Sequence, residues 1–191
     1  MKTLHIPVVL GTARKSRKSE QVANLVMRLV SQRDASQSEL VDVKDHIQEA
    51  VTVPPWGEGG TETNATKWKE IVDRADALVL VVPEYNHGYP GELKLLLDSL
   101  HSEYKGMPVG IVGVSSGILG GARVIDHIKP VLIEMYLHPI HTSVNFMSVG
   151  KAFNEDGTLA NEKVSEYISK MLSELEETAE LLTPLREKQN E

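Results

Sequence analysis

Three short stretches hold side chains of the kinds that bind or transform small molecules. Residues 11–21 read Gly-Thr-Ala-Arg-Lys-Ser-Arg-Lys-Ser-Glu-Gln, and four of them are Arg or Lys in a chain of formal net charge −7. An apolar helical pattern begins at Ser19, and a helix N-terminus offers free N–H groups and the positive end of a dipole. With Thr12, Arg14 and Ser19 beside it, the loop suits a phosphate. It lacks the glycine spacing of a Walker A loop and of a dinucleotide fingerprint, so a monophosphate fits better than a pyrophosphate. The plainer alternative is a solvated basic loop in which Ser19 caps the helix.

Residues 113–117, Gly-Val-Ser-Ser-Gly, match the G-x-S-x-G of a hydrolase nucleophile elbow. An elbow starts its helix directly after the serine, whereas residues 118–121 intervene here. Asp126 falls mid-helix, a poor place for the acid that would orient His138 or His141. A serine hydrolase using Ser115 is therefore a minor alternative. A run of small residues from Ser115 to Gly121 equally lets a flat molecule approach the backbone. His138 and His141 make no metal-ligand pattern, and no metal site is expected.

Residues 83–91, Pro-Glu-Tyr-Asn-His-Gly-Tyr-Pro-Gly, follow an apolar run and precede a leucine-rich helical pattern. Pro83 cannot donate to a ladder and stops the strand. Gly88 can take positive φ, and Pro90 fits a helix start. Glu84, Tyr85, Asn86 and His87 remain unexplained by the turn. They suit a planar polar ligand, bonded along its edge by N–H groups and covered by Tyr85.

The elements that must position these stretches are legible as alternating patterns. Strands are expected at 4–10, 39–43, 77–82, 108–115 and 140–145, with continuous apolar runs typical of strands covered on both faces. Helices are expected from Ser19 onward and at 61–74, 121–135 and 161–182, each with an apolar stripe. The alternation implies right-handed βαβ units and a doubly wound five-stranded parallel sheet, order 2-1-3-4-5, with helices on both faces. Ligands in such sheets sit beyond the carboxyl ends of the strands, at the switch point between the first and third. The three unusual stretches follow the first, third and fourth strands.

Pro-Glu-Tyr-Asn-His-Gly-Tyr-Pro-Gly-Glu-Leu-Lys-Leu-Leu-Leu-Asp, residues 83–98, resembles the P-E-Y-N-x-(S/G)-x-P-G-x-L-K-N-x-(I/L)-D segment of the NAD(P)H-dependent FMN reductase family, which has a flavodoxin-like fold. Residues 11–23 are similar to that family's G-S-x-R…S-x-N…A phosphate loop, with Thr12 for the usual Ser and Gln21 where Asn is common. The resemblance implies FMN phosphate held by Thr12, Arg14, Ser19 and Gln21. It places the flavin ring between Pro83, Glu84, Tyr85, Asn86 and His87 on one side and Ser115, Ser116 and Gly117 on the other. It also implies an NAD(P)H oxidoreductase: NADPH or NADH gives a hydride, and a quinone, flavin, azo dye or oxyanion then takes the electrons, with no side-chain acid or base required. Lys15, Arg17 and Lys18 are spare cations that would favour NADPH by meeting its 2′-phosphate. A non-catalytic FMN-binding electron carrier is the alternative reading.

Composition bounds the rest. The 191 residues suit one flavodoxin-like domain, 1–191. The absence of cysteine removes thiol catalysis and disulfides and fits a reducing cytoplasm. The acidic balance argues against nucleic acid or an anionic membrane as partner, and the first apolar run is too short for a signal peptide or a membrane span. Leu93, Leu95, Leu96, Leu97 and Leu100 cover more than one helical face, so that helix is either deeply buried or meets another subunit. The resemblance favours the latter possibility, in a homodimer or homotetramer. The connection 45–64, rich in Pro and Gly, is the expected substrate-side or interface loop.

Overall fold

The computed structural model describes residues 2–47 and 60–187. Its strands are β1 (Leu4–His5), β2 (Val8–Leu10), β3 (Ser36–Gln37), β4 (Leu40–Asp42), β5 (Leu78–Pro83), β6 (Pro108–Val114) and β7 (His138–Phe146). Its α-helices are α1 (Ser19–Ser31), α2 (Gly60–Arg74), α3 (Gly91–Asp98), α4 (Ala122–Glu134) and α5 (Lys163–Glu187). Five strands form one parallel sheet in the order β4-β2-β5-β6-β7. That is the expected 2-1-3-4-5 order of a flavodoxin-like fold.

The first expected strand, 4–10, is split. Pro7 has no N–H to give, so the ladder breaks there and β1 pairs separately with β3. The flanking amides still bond across: Ile6 N–H to the Gln37 carbonyl and Val8 N–H to the Glu39 carbonyl, both at 2.9 Å.

The central run Leu-Val-Leu-Val-Val is apolar without interruption because both its faces are covered. Leu78, Leu80 and Val82 pack in the layer with Trp68, Leu93, Leu96, Leu97 and Ile128. Val79 and Val81 pack in the opposite layer with Val22, Val26, Ile168, Met171 and Leu172. Helices α2, α3 and α4 therefore cover one face, and α1 and α5 the other. In the first layer Trp68 Nε1–H donates to Tyr104 Oη at 2.7 Å, with both side chains fully buried. Burial pushes the Tyr104 phenol far up, against the opposite pull of that bond.

Of the α3 leucines, Leu93, Leu96 and Leu97, with Leu100 just beyond, are buried in the core and only Leu95 is partly exposed. Deep burial accounts for the leucine-rich pattern without a second subunit on that face. At the far edge, the β6–β7 register shifts between Val109 and Ile111. There Glu174 of α5 accepts from the amides of His141 at 2.8 Å and Thr142 at 3.1 Å. Most of the 45–64 connection lies outside the described residues.

Candidate functional site

The loop after β2 begins with a glycine at a point where a side chain would be tight. A Cβ on Gly11 would lie 3.0 Å from the Val81 carbonyl oxygen and 3.1 Å from Leu93 Cδ2. From there to α1 the loop is tied down by carboxylates. Arg17, whose side chain is only 7% exposed, donates to Asp42 through both terminal nitrogens and to the Thr12 carbonyl at 2.5 Å. Burial opposes ionisation of Asp42, but the hydrogen bonds from Arg17 and Lys44 outweigh it and hold the carboxyl below its usual range. Arg17 is thus committed to the fold and is not the spare cation expected from the sequence.

On the other side Glu92, in the first turn of α3, accepts from Thr12 Oγ1–H at 3.0 Å and from the Ala13 amide at 2.9 Å. Thr12 Oγ1 also lies 2.6 Å from Tyr85 Oη and 3.1 Å from the Arg14 amide nitrogen. The Arg14 guanidinium sits over the Tyr85 ring, 5.4 Å from its centroid.

Ser19 does not cap α1. Lys18 occupies the N-cap position, and no side chain bonds there. The Ser19 hydroxyl is instead buried and, among the described residues, has no hydrogen-bond partner. An uncapped helix start, an orphaned hydroxyl and nearby cations together have the chemistry that suits an anion.

The loop after β5 continues the sheet for one more bond, Glu84 N–H to the Val114 carbonyl at 2.8 Å. Tyr85 and Gly88 then exchange two backbone hydrogen bonds, at 2.8 and 2.9 Å. The turn between them puts Asn86 at φ 49° and His87 at φ 69°. The positive φ expected of Gly88 falls on these two residues, as a tight hairpin turn requires of its central pair. Glu84 Oε2 is buried without a partner among the described residues, and Oε1 lies 3.7 Å from Arg123 Nη1 of α4.

In the loop after β6, Ser115 Oγ–H donates to the Gly117 carbonyl at 3.2 Å, and the helix starts only at Ala122. No nucleophile elbow forms. The glycines of this loop serve packing: a Cβ on Gly120 would lie 2.7 Å from the Asn145 carbonyl carbon, and one on Gly121 2.7 Å from the Val114 amide nitrogen.

Thr12, Arg14, Lys15, Ser16, Arg17, Lys18, Ser19, Pro83, Glu84, Tyr85, Ser115 and Ser116 line one cleft of about 430 Å³, with Val114 and Val149. Four residues of the expected set lie elsewhere. Gln21 follows Ser19 by two residues, a helical rotation of about 200°, and is exposed away from the cleft. Asn86 and His87 are turned by their left-handed backbone into a second depression with Gly88, Arg123, Asp126 and His127. Gly117, exposed beyond Ser116, does not line the cleft. The sequence pattern missed Val149, brought in by the hydrogen bond its N–H donates to the Ser115 carbonyl at 3.1 Å, and Glu92 behind the first loop. Val149 bears no group that would mark it; Glu92 was visible as an acid in the first turn of a helix.

The profile of the family described as NADPH-dependent FMN reductase matches residues 4–152. The chain belongs to that family. Among curated relatives, an NAD(P)H-dependent FMN reductase of Pseudomonas aeruginosa is 32% identical over 115 residues, which span 58% of this chain and 62% of that one. An NAD(P)H-dependent FMN reductase of Saccharomyces cerevisiae is 27% identical over 154 residues, 72% of this chain and 78% of that one. Among solved structures, the flavoenzyme NAD(P)H:(acceptor) oxidoreductase FerB of Paracoccus denitrificans superposes with a TM-score of 0.76 at 19% identity, covering 94% of this chain and 98% of FerB. That last likeness concerns the fold. Membership makes this FMN reductase-family chain a flavin-dependent NAD(P)H oxidoreductase. Among its described residues no helix is long and apolar enough to cross a membrane.

Proposed function

We propose that the cleft at the carboxyl ends of β2, β5 and β6 holds FMN, with NADPH or NADH as donor and a small molecule such as a quinone as acceptor. The observation that carries this reading is the Ser19 hydroxyl, buried and unpartnered on the cleft wall at the uncapped start of α1. A buried donor left without an acceptor is costly, and a phosphate accepting from it removes the cost. Arg14, Lys15 and Lys18 supply positive charge at the same end. Pro83, Glu84 and Tyr85 stand as one wall for the ring, Ser115 and Ser116 as the other.

Bound FMN supplies the redox chemistry itself. The protein's part is to compensate the phosphate charge and to fix the ring. Among the described residues, the amide of Ser116 on the cleft wall has no hydrogen-bond acceptor. It is a donor available to a polar ring edge that gains negative charge. The exposed Ile118 and Met147, 81% and 55% accessible, suit contact with an apolar acceptor or a second subunit. The reading also takes the chain as one flavodoxin-like domain, cytoplasmic, and a homodimer or homotetramer.

The visible spectrum of the purified protein tests it. Added FMN is expected to show perturbed bands, bleached by NADPH without oxygen and restored by a quinone. A protein that takes up no FMN at micromolar concentration overturns the reading. One that binds FMN but never oxidises NADPH is the non-catalytic carrier instead.

A further inference from the structure

The hydroxyl of Thr12 has one proton and three neighbours. Tyr85 Oη lies 2.6 Å from Thr12 Oγ1, the Glu92 carboxylate 3.0 Å and the Arg14 amide nitrogen 3.1 Å. An ionised carboxylate only accepts and an amide N–H only donates. The Thr12 proton therefore goes to Glu92, and both Tyr85 Oη–H and the Arg14 N–H donate to Thr12. The same Glu92 oxygen takes the Ala13 N–H at 2.9 Å. Four donors around the first loop, those of Thr12, Ala13, Arg14 and Tyr85, are thus spent inside the protein. Two of them end on Glu92.

Glu92 does not line the cleft; it stands behind the loop, on the side of α3. Its charge is nevertheless one hydrogen bond away from Thr12, which does line it. The Arg17 guanidinium of the same loop is neutralised by Asp42 rather than by Glu92. A phosphate entering at Ser19 meets a fixed negative charge close behind its cradle, and it can recruit the Thr12 and Ala13 donors only by displacing that carboxylate.

We propose that Glu92 is an internal anion that competes with the FMN phosphate for the first loop, so that FMN is held as an exchangeable ligand. This rests on the FMN reading above. The charge, not the hydrogen bonding, is the operative property. Glu92→Gln keeps the size and the accepting oxygen and removes the charge.

The test is the dissociation constant of FMN, measured by quenching of flavin fluorescence, for the wild type and Glu92→Gln. Riboflavin, which lacks the phosphate, serves as the control ligand. FMN is expected to bind the variant roughly five- to thirtyfold more tightly, from loss of one like charge at short range in a partly hydrated site, and to leave it more slowly. Riboflavin affinity is expected not to change. Glu92→Ala, which also removes the hydrogen bonds, is expected to bind FMN at least as tightly as the wild type. Unchanged or weaker FMN binding in Glu92→Gln overturns the proposal and makes Glu92 a plain organiser of the loop. Equal tightening for riboflavin also overturns it, because the effect then does not pass through the phosphate. A wild-type protein that binds no FMN overturns the underlying reading as well, and so the two failures are distinct.

Discussion

At the scale of single residues, the cleft is defined by polar groups whose needs are unequal. Ser19 has a donor and no acceptor, whereas the Thr12 hydroxyl is fully used and Arg17 has four of its five N–H donors engaged. Stability and binding should therefore respond in opposite directions at Ser19. In Ser19→Ala the empty protein loses only an unsatisfied hydroxyl, so its denaturation midpoint is expected to hold or rise, by up to about 1 kcal/mol. FMN binding is expected to weaken by about 1.5–3 kcal/mol, the scale of a hydrogen bond to a charged group. Arg14→Ala should weaken FMN binding by a similar amount, about 1.5–3 kcal/mol. Titration of FMN into both variants checks this, and undiminished affinity in both would show that the first loop does not hold the phosphate.

At the scale of elements, the contact between the β6 strand end and the start of α4 is built on glycine. Gly121 has φ 83°, and a Cβ there would meet the Val114 nitrogen at 2.7 Å and the Gly113 carbonyl carbon at 2.8 Å. Gly121→Ala is expected to cost about 1–3 kcal/mol from the left-handed backbone alone, and more from the clash. Gly150→Ala, where nothing lies within 4 Å, should stay within about 0.5 kcal/mol of the wild type. Urea unfolding of the pair checks the contrast. These glycines also show where the sequence pattern runs out. Alternation of apolar runs and helical stripes was enough to place five strands, their order and the three loops at one sheet edge, because burial on both faces leaves a direct mark in composition. Which residue of a turn takes positive φ leaves none: Asn86 and His87 took it in place of Gly88. Nor does residue type tell whether an arginine in a basic loop faces a ligand or, like Arg17, a carboxylate from the next strand. Small residues at 120 and 121 read as room for a ligand and proved to be room for the protein's own backbone.

At the scale of the whole molecule, carboxylates tie distant segments together. Asp42 holds the first loop through Arg17, Glu39 joins His5 to Arg74, and Glu176 of α5 holds Arg33 and Ser36. Burial opposes ionisation of each, but its hydrogen bonds prevail and the folded carboxyl lies below its usual range. A depressed folded-state pKa contributes stability that is complete above the ordinary carboxylate value, about 4. That stability is lost as pH falls through the folded values. The contribution of these three carboxylates to the urea midpoint is expected to stay level as pH falls toward 5 and to drop steadily below about pH 4. Glu176→Gln should flatten part of that drop, and a variant with the full wild-type acid slope would remove Glu176 from the account.

One more of these carboxylates acts at the edge of the sheet. Among the described residues β7 is the longest strand and has no neighbour on its outer side. A long open edge is a template on which a foreign strand, or a misfolded copy of the same chain, can build. Glu174 takes the His141 and Thr142 amides where the register shifts, and Pro139 has no amide to offer. The middle of the exposed edge is thereby closed to strand addition, which guards an otherwise regular parallel sheet against runaway growth into aggregates.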